Sequence, residues 1–324
     1  MKSIKVRSIL LLVFNRPDTT EKVFSRVREV KPEKLYIAAD GPRADKKGEA
    51  KKCKEVRNIF NEIDWPCEVH TLFRDKNLGC KQAVSGGISW YFEHEEEGII
   101  LEDDCLPDLK FFEFCEEGLI KWRNDNRIAG LGGFVASKNK TPFPSVHGSV
   151  WGWATWKRAW KNYNPNQLLN FDDFKYLAKI SSIFTVVEKA LIVEKLKKTP
   201  MNTWDYYWLF SRIANRQVMI LPGAPLTNNI GFNSDSGTHL TGSKPKRLAR
   251  FEKMKIDTNS INQDMISMNN RDIIISDFIR TWSRSGLLHI KKIVRFFFKN
   301  PIKFVHLFIL NINMIISNKK KLTS

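Results

Sequence analysis

The strongest constraint on this chain is the alternation of short apolar runs and amphipathic stretches through its first hundred residues. Ser8 to Phe14 reads SILLLVF, an unbroken run that suits a strand buried on both faces. Asn15 stands where a helix N-cap is needed, and Pro17 fits a first helical turn. Val23, Phe24, Val27 and Val30 then fall on one side of that helix. Leu35 to Ala39 is a second strand, ending at Asp40-Gly41-Pro42. A charged helix through Val56, Ile59 and Phe60 follows, then a strand from Glu68 to Phe73. Next come the loop Arg74-Asp75-Lys76-Asn77-Leu78-Gly79, a helix to about His94 and a short strand from Gly98 to Leu101. This β-α-β-α order predicts an α/β fold whose mostly parallel central sheet is flanked by helices. Ligands of such sheets bind off the carboxyl ends of the strands, which gathers Arg16, Asp40, Lys76 and Asp104 on one edge.

The second half is less regular. It holds the aromatic stretch Val150-Trp151-Gly152-Trp153-Ala154-Thr155-Trp156, two expected helices between Asp172 and Lys198, and the segment Asn202-Thr203-Trp204-Asp205-Tyr206-Tyr207-Trp208. A strand near Val218 to Leu221 precedes a Pro/Gly/Asn loop. Residues from Gly231 to Arg247 read as a mobile loop. His147 and His239 are isolated, and Asp172-Asp173 suits a helix start, where carboxylates meet the favourable end of the dipole. Five cysteines, at 53, 67, 80, 105 and 115, show no close metal or redox spacing. Free thiols in a reducing, cytoplasmic compartment are the simplest account; Cys105 reads as a small buried filler. The basic, apolar N-terminus runs directly into Asn15-Arg16-Pro17-Asp18 with no small-residue cleavage site, which argues against a signal peptide. No stretch has the roughly 18 uninterrupted apolar residues of a membrane span.

Glu102-Asp103-Asp104 is the feature with the most chemistry. It directly follows Ile99-Ile100-Leu101 and precedes Pro107 and an apolar-faced helix with Phe111, Phe112, Cys115 and Leu119. Three carboxylates at the end of a buried strand repel one another unless a positive charge sits among them. A hard divalent cation that also binds substrate phosphates is one answer.

With the residues that follow it, this segment resembles bacterial glycosyltransferases of the GT-A type (a Rossmann-like nucleotide-diphospho-sugar transferase fold), and among them the N-acetylglucosaminyltransferase I branch with its EDD motif. The resemblance runs from about Ser8 to Phe232 through five ordered matches: Arg16 after the first strand, Asp40 after the second, Glu102 to Phe112, Trp151-Gly152-Trp153, and Trp204-Asp205. It implies a metal-dependent, inverting transfer of a hexosyl or N-acetylhexosaminyl group from a nucleotide-diphosphate sugar, UDP-linked by analogy, in surface glycan assembly. It places Arg16 near the donor, Asp40 on the nucleotide, and Asp104 on Mn²⁺ or Mg²⁺. It sets Asp103 on the ribose or donor sugar, Glu102 on the sugar hydroxyls and Trp153 beside the sugar. Asp205, next to Trp204, becomes the base that takes the acceptor's proton. Lys76 is a cation placed for the diphosphate, with Gly79 opening a helix at close range; a solvated loop is the plainer reading.

Two rival functions stand beside this one. A sugar nucleotidyltransferase shares the fold class but needs a Gly-rich phosphate loop, and Phe14-Asn15-Arg16-Pro17 has no glycine. A non-catalytic nucleotide-sugar- or carbohydrate-binding protein would keep the scaffold without turnover. The expected organisation is a catalytic unit over residues 1–240, with its donor half at about 1–135 and acceptor half at about 136–240, followed by a helical basic extension over 241–324. That extension carries seventeen Lys and Arg against five Asp and Glu, two-thirds of the net charge of +18. Its apolar residues alternate with cations and Pro301 divides it, as in a helix lying on an anionic leaflet; a cap packed on the domain is the alternative. The large apolar faces argue against nucleic acid. Membrane attachment would put the enzyme on the inner face of the cytoplasmic membrane, with a saccharide or lipid-linked saccharide as acceptor.

Overall fold

The computed structural model describes residues 5–135, 142–233, 294 and 296–320. Four parallel strands, β1 (Ser8–Val13), β2 (Lys34–Ala39), β3 (Glu68–Phe73) and β4 (Glu97–Glu102), are joined by α1 (Pro17–Val30), α2 (Glu49–Ile59) and α3 (Gly79–His94). The chain continues through β5 (Cys105–Pro107), α4 (Leu109–Lys121), β6 (Ile128–Gly132), β7 (Phe143–Ser145), β8 (Trp153–Trp156) and α5 (Lys157–Trp160). Then come α6 (Phe171–Ile180), α7 (Ile183–Lys198), α8 (Asp205–Ala214), β9 (Val218–Leu221), β10 (Thr227–Asn229) and α9 (Pro301–Lys320).

Eight strands form one sheet in the order β3-β2-β1-β4-β8-β6-β9-β7. Six run one way; β7 and β8 oppose them. β5 and β10 make a separate antiparallel pair. The uninterrupted apolar run of β1 follows from its central place. Ile9, Leu11 and Val13 face α1 and α4, among Val23, Phe24, Val27 and Phe112. Leu10 and Leu12 point to the other side, against Ile88 and Tyr91 of α3 and the tryptophans Trp153 and Trp208. Period-2 alternation then buries every residue of the strand. A third cluster packs α6, α7 and α8 together through Leu177, Val186 and Phe210.

Two local readings are refined. The N-cap of α1 is Arg16, not Asn15: Pro17 takes the first helical position, and Asn15 instead donates from Nδ2 to Glu49 Oε1 at 2.8 Å. Asp172 and Asp173 do start a helix, with Asn170 and Asp173 forming a reciprocal capping box at α6. His239 and residues 234–247 of the loop read as mobile lie outside the described residues. The C-terminal helix packs on the body, against α6 and α7, as the cap reading expects. All five cysteines are free thiols.

Candidate functional site

The carboxyl ends of β1, β2 and β4 open onto two adjoining hollows. The first, of about 660 Å³, is bordered by Phe14, Asp40, Arg43, Arg74 and Asn77. The second, of about 1210 Å³, is bordered by Asp104, Trp151, Thr203, Trp204 and Asp205. Arg16, Cys80 and Glu102 line both, so the hollows meet at the acidic triplet.

The positive charge that the triplet requires is supplied by the chain itself. Arg16 Nη1 lies 2.7 Å from Asp104 Oδ2, and Nη2 lies 3.5 Å from Asp103 Oδ1. Burial alone would lower the pKa of Arg16, but Asp103 and Asp104 outweigh it and hold the guanidinium charged. Asp103 also accepts from the Phe14 amide at 3.3 Å. Burial is the main force pushing its carboxyl up to about 6, against the pull of Arg16. Glu102 is held well above the carboxylate range, first by desolvation and then by Asp104, Asp103 and Asp205. Gly231 closes over the ion pair: a Cβ there would lie 2.4 Å from Asp104 Oδ2 and 2.6 Å from Arg16 Nη1. β10 fixes this approach through the Ile230 amide, which donates to the Asp104 carbonyl at 2.8 Å. No sequence signal pointed to Gly231.

This geometry bears on a divalent metal. Asp104 Oδ2 is committed to Arg16, and Oδ1 accepts from the Cys105 thiol at 3.3 Å. Among the described residues, no three His, Cys, Asp or Glu side chains converge to hold an ion. The described side chains therefore form no protein cage for an ion, and an ion held here would have to draw most of its ligands from a substrate's phosphates.

Asp40 faces inward. Its Oδ1 accepts from the amides of Gly41 (3.0 Å) and Leu78 (3.0 Å), and its Oδ2 from Asn77 Nδ2 (2.9 Å) and the Gly79 amide (3.2 Å). The carboxylate thus occupies amides at the start of α3 that sequence reasoning reserved for a diphosphate. Gly79 is required by its φ of +77° and by Asn202, whose Nδ2 would lie 2.8 Å from an added Cβ. Asn202 Oδ1 accepts from the Lys81 amide at 3.1 Å, so the segment before α8 caps the start of α3. Lys76 is exposed; its neighbours Arg74 and Asn77 line the first hollow instead. Burial pulls the pKa of Arg74 down, with Asp40 pushing back. Among the described residues no carboxylate lies within ion-pair distance of Arg74.

Trp153 is wholly buried and stacks under Trp204, with ring centroids 5.7 Å apart. It supports the second hollow from one layer below, while Trp151 reaches the surface of that hollow. Asp205 is the first residue of α8. Its Oδ1 accepts from the Thr203 hydroxyl and, at 2.9 Å, from the Tyr206 amide. Its Oδ2 has no hydrogen-bond partner among the described residues, which leaves an acceptor oxygen available at the hollow. The structure thus brings Arg16, Glu102, Asp103, Asp104, Trp204 and Asp205 together, and keeps Lys76 and Trp153 apart from them.

No family model matches the chain, and no curated protein matches its sequence. Among solved structures it is similar to HddC from Yersinia pseudotuberculosis, at 10% identity and a TM-score of 0.31, covering 49% of this chain and 80% of that one. It is also similar to an apo UDP-glucose pyrophosphorylase, at 10% identity and a TM-score of 0.33, covering 67% of this chain and 90% of that one. Similarities this slight carry no weight for activity, which has to be read from the residues of the cleft.

Proposed function

We propose that this chain is a glycosyltransferase that uses a nucleotide-diphosphate sugar, with the nucleotide in the first hollow and transfer in the second. The observation that carries the reading is the meeting of two hollows at Glu102, with Asp104 and Asp205, 101 positions apart in sequence, bordering the same space. Arg74 and Arg16 supply positive charge toward the donor phosphates. The acceptor hydroxyl attacks the anomeric carbon, the bond to the nucleoside diphosphate breaks, and Asp205 Oδ2 takes the hydroxyl proton. Thr203 and the Tyr206 amide hold Asp205 in position for that transfer. Trp151 offers a flat apolar face to the sugars, and the buried Trp204 backs the hollow beside it. Asp104 is the residue that would hold Mn²⁺ or Mg²⁺, which when bound would offset charge on the leaving diphosphate. The resemblance in sequence favours a UDP-linked donor and inversion at the anomeric carbon.

The decisive experiment follows the products from a panel of nucleotide sugars with and without Mn²⁺. Release of a nucleoside diphosphate, lost in Asp205→Asn while donor binding persists, supports transfer. Pyrophosphate-dependent formation of a nucleoside triphosphate would make the chain a sugar nucleotidyltransferase instead. Binding with no turnover by the native protein would reduce it to a binding module. Donor affinity that ignores both Mn²⁺ and Asp104→Ala would remove the metal from the scheme.

A further inference from the structure

The C-terminal segment has two opposite faces. Phe296 is buried and packs with Val187 and Ala190 of α7. Leu307 joins the cluster of Leu177, Val186 and Phe210. Asn311 Nδ2 donates to the carbonyls of Ala178 at 2.8 Å and Ser181 at 2.7 Å. The segment is therefore fixed to α6 and α7 along one side. On the other side, Phe298 just before α9 and Ile302, Val305 and Ile309 within it follow one another at steps of four, three and four, along one face. They are 76%, 86%, 46% and 51% exposed. Isolated apolar residues on a surface are ordinary, but a contiguous row of this size marks an interaction surface.

Charge identifies the partner. From Phe278 to Ser324 the chain holds ten Lys and Arg and no Asp or Glu. Lys299 and Lys303 sit on the same short stretch as the stripe. Among the described residues, the acidic side chain within ion-pair distance of them is Glu194 of α7, 3.8 Å from Lys299. We propose that this stripe is a docking surface for a membrane leaflet rich in anionic phospholipid, with α9 lying in the plane of the interface. From Phe298 to Ile309 the stripe is about 16 Å long. No described helix is long and apolar enough to cross a membrane, so the contact is a surface one. A second copy of this chain is the poorer occupant, because pairing two stripes would crowd two uncompensated basic segments together. The apolar row enters the acyl boundary while the cations meet lipid phosphates. The proposal does not depend on the transfer activity.

The test uses the full-length protein and vesicles of phosphatidylcholine with or without phosphatidylglycerol. Binding is expected only with phosphatidylglycerol, and it should weaken as salt rises. In the triple variant Phe298→Ser, Ile302→Ser, Val305→Ser, vesicle affinity should fall on the order of tenfold or more, with melting temperature and nucleotide binding unchanged. Equal binding to neutral vesicles, or an unaltered affinity in the variant, would overturn the proposal. So would a lower melting temperature without a vesicle effect, which would show the stripe covered by the chain's own residues. A dimer that the variant converts to a monomer would assign the stripe to a second copy.

Discussion

Replacing Asp40 with alanine separates two accounts of the same carboxylate. If the carboxylate contacts nucleotide, as the resemblance to GT-A enzymes implies, its loss should fall on binding. The structure instead commits it to the loop, where it accepts from the amides of Gly41, Leu78 and Gly79 and from Asn77 Nδ2. Hydrogen bonds to a charged group contribute about 1.5–3 kcal/mol each, and the loop amides regain some water once the carboxylate is gone. A net loss of about 3–5 kcal/mol is therefore expected. At about 2–4 °C per kcal/mol for a chain of this order, the melting temperature should drop by about 6–20 °C. Asp40→Asn, which keeps one acceptor oxygen, should fall between the two. Differential scanning calorimetry reads the stability, and titration with a nucleoside diphosphate reads the site. A variant that melts within about 2 °C of the native protein yet loses nucleotide binding would refute the loop-pinning role.

Three further outcomes are expected. Asp205→Asn should lower turnover about 10²- to 10⁴-fold, the range for a general base, with the donor dissociation constant unchanged by calorimetric titration. Gly231→Ala forces a methyl group against the Arg16–Asp104 pair and should cost about 1–3 kcal/mol of stability by overpacking; an unchanged urea midpoint would show that the pair yields freely. Burial works to raise the Glu49 carboxyl, but its bonds to Arg43 and Asn15 prevail and its pKa lies below the ordinary 4.5. Its contribution is therefore present above the unfolded value and lost as pH falls through the depressed one, so Glu49→Gln should flatten the acid limb of a stability–pH curve measured by urea unfolding.

The first four strands were legible because they are long and, but for β3, central. Both faces of β1 are covered, so its sequence could only be a continuous apolar run, and the acidic triplet necessarily stood at the edge where the parallel strands end. The direction of a side chain at that edge was not legible. Asp40 at a strand end can point to a ligand or back into its own loop, and only the position of the amides of Leu78 and Gly79 decides. Arg74 and Lys76 lie two residues apart in one polar loop, and composition does not tell which one turns inward. Trp151 and Trp153 pose the same problem. Trp153 projects from β8 into the rings of Trp160, Trp204 and Trp208, so it is covered and the ring that reaches the hollow is the one before the strand. The partner of the triplet was partly visible: Arg16 was placed on the right edge, but the need for positive charge was assigned to a metal. Gly231, whose role is an absence of side chain, left no trace in the pattern.

The place of β6 bears on how the protein is made. Its ladder partners are β8 and β9, and Leu131 meets Ile220 roughly ninety residues further along the chain. During synthesis the first four strands can pair as they appear, but β6 must then wait, although every one of its residues is buried in the finished sheet. An unpaired strand of this kind is a template for association with other chains. An N-terminal fragment meant for expression should therefore end before Ile128, since one cut at residue 135 would carry a strand whose neighbours were never translated.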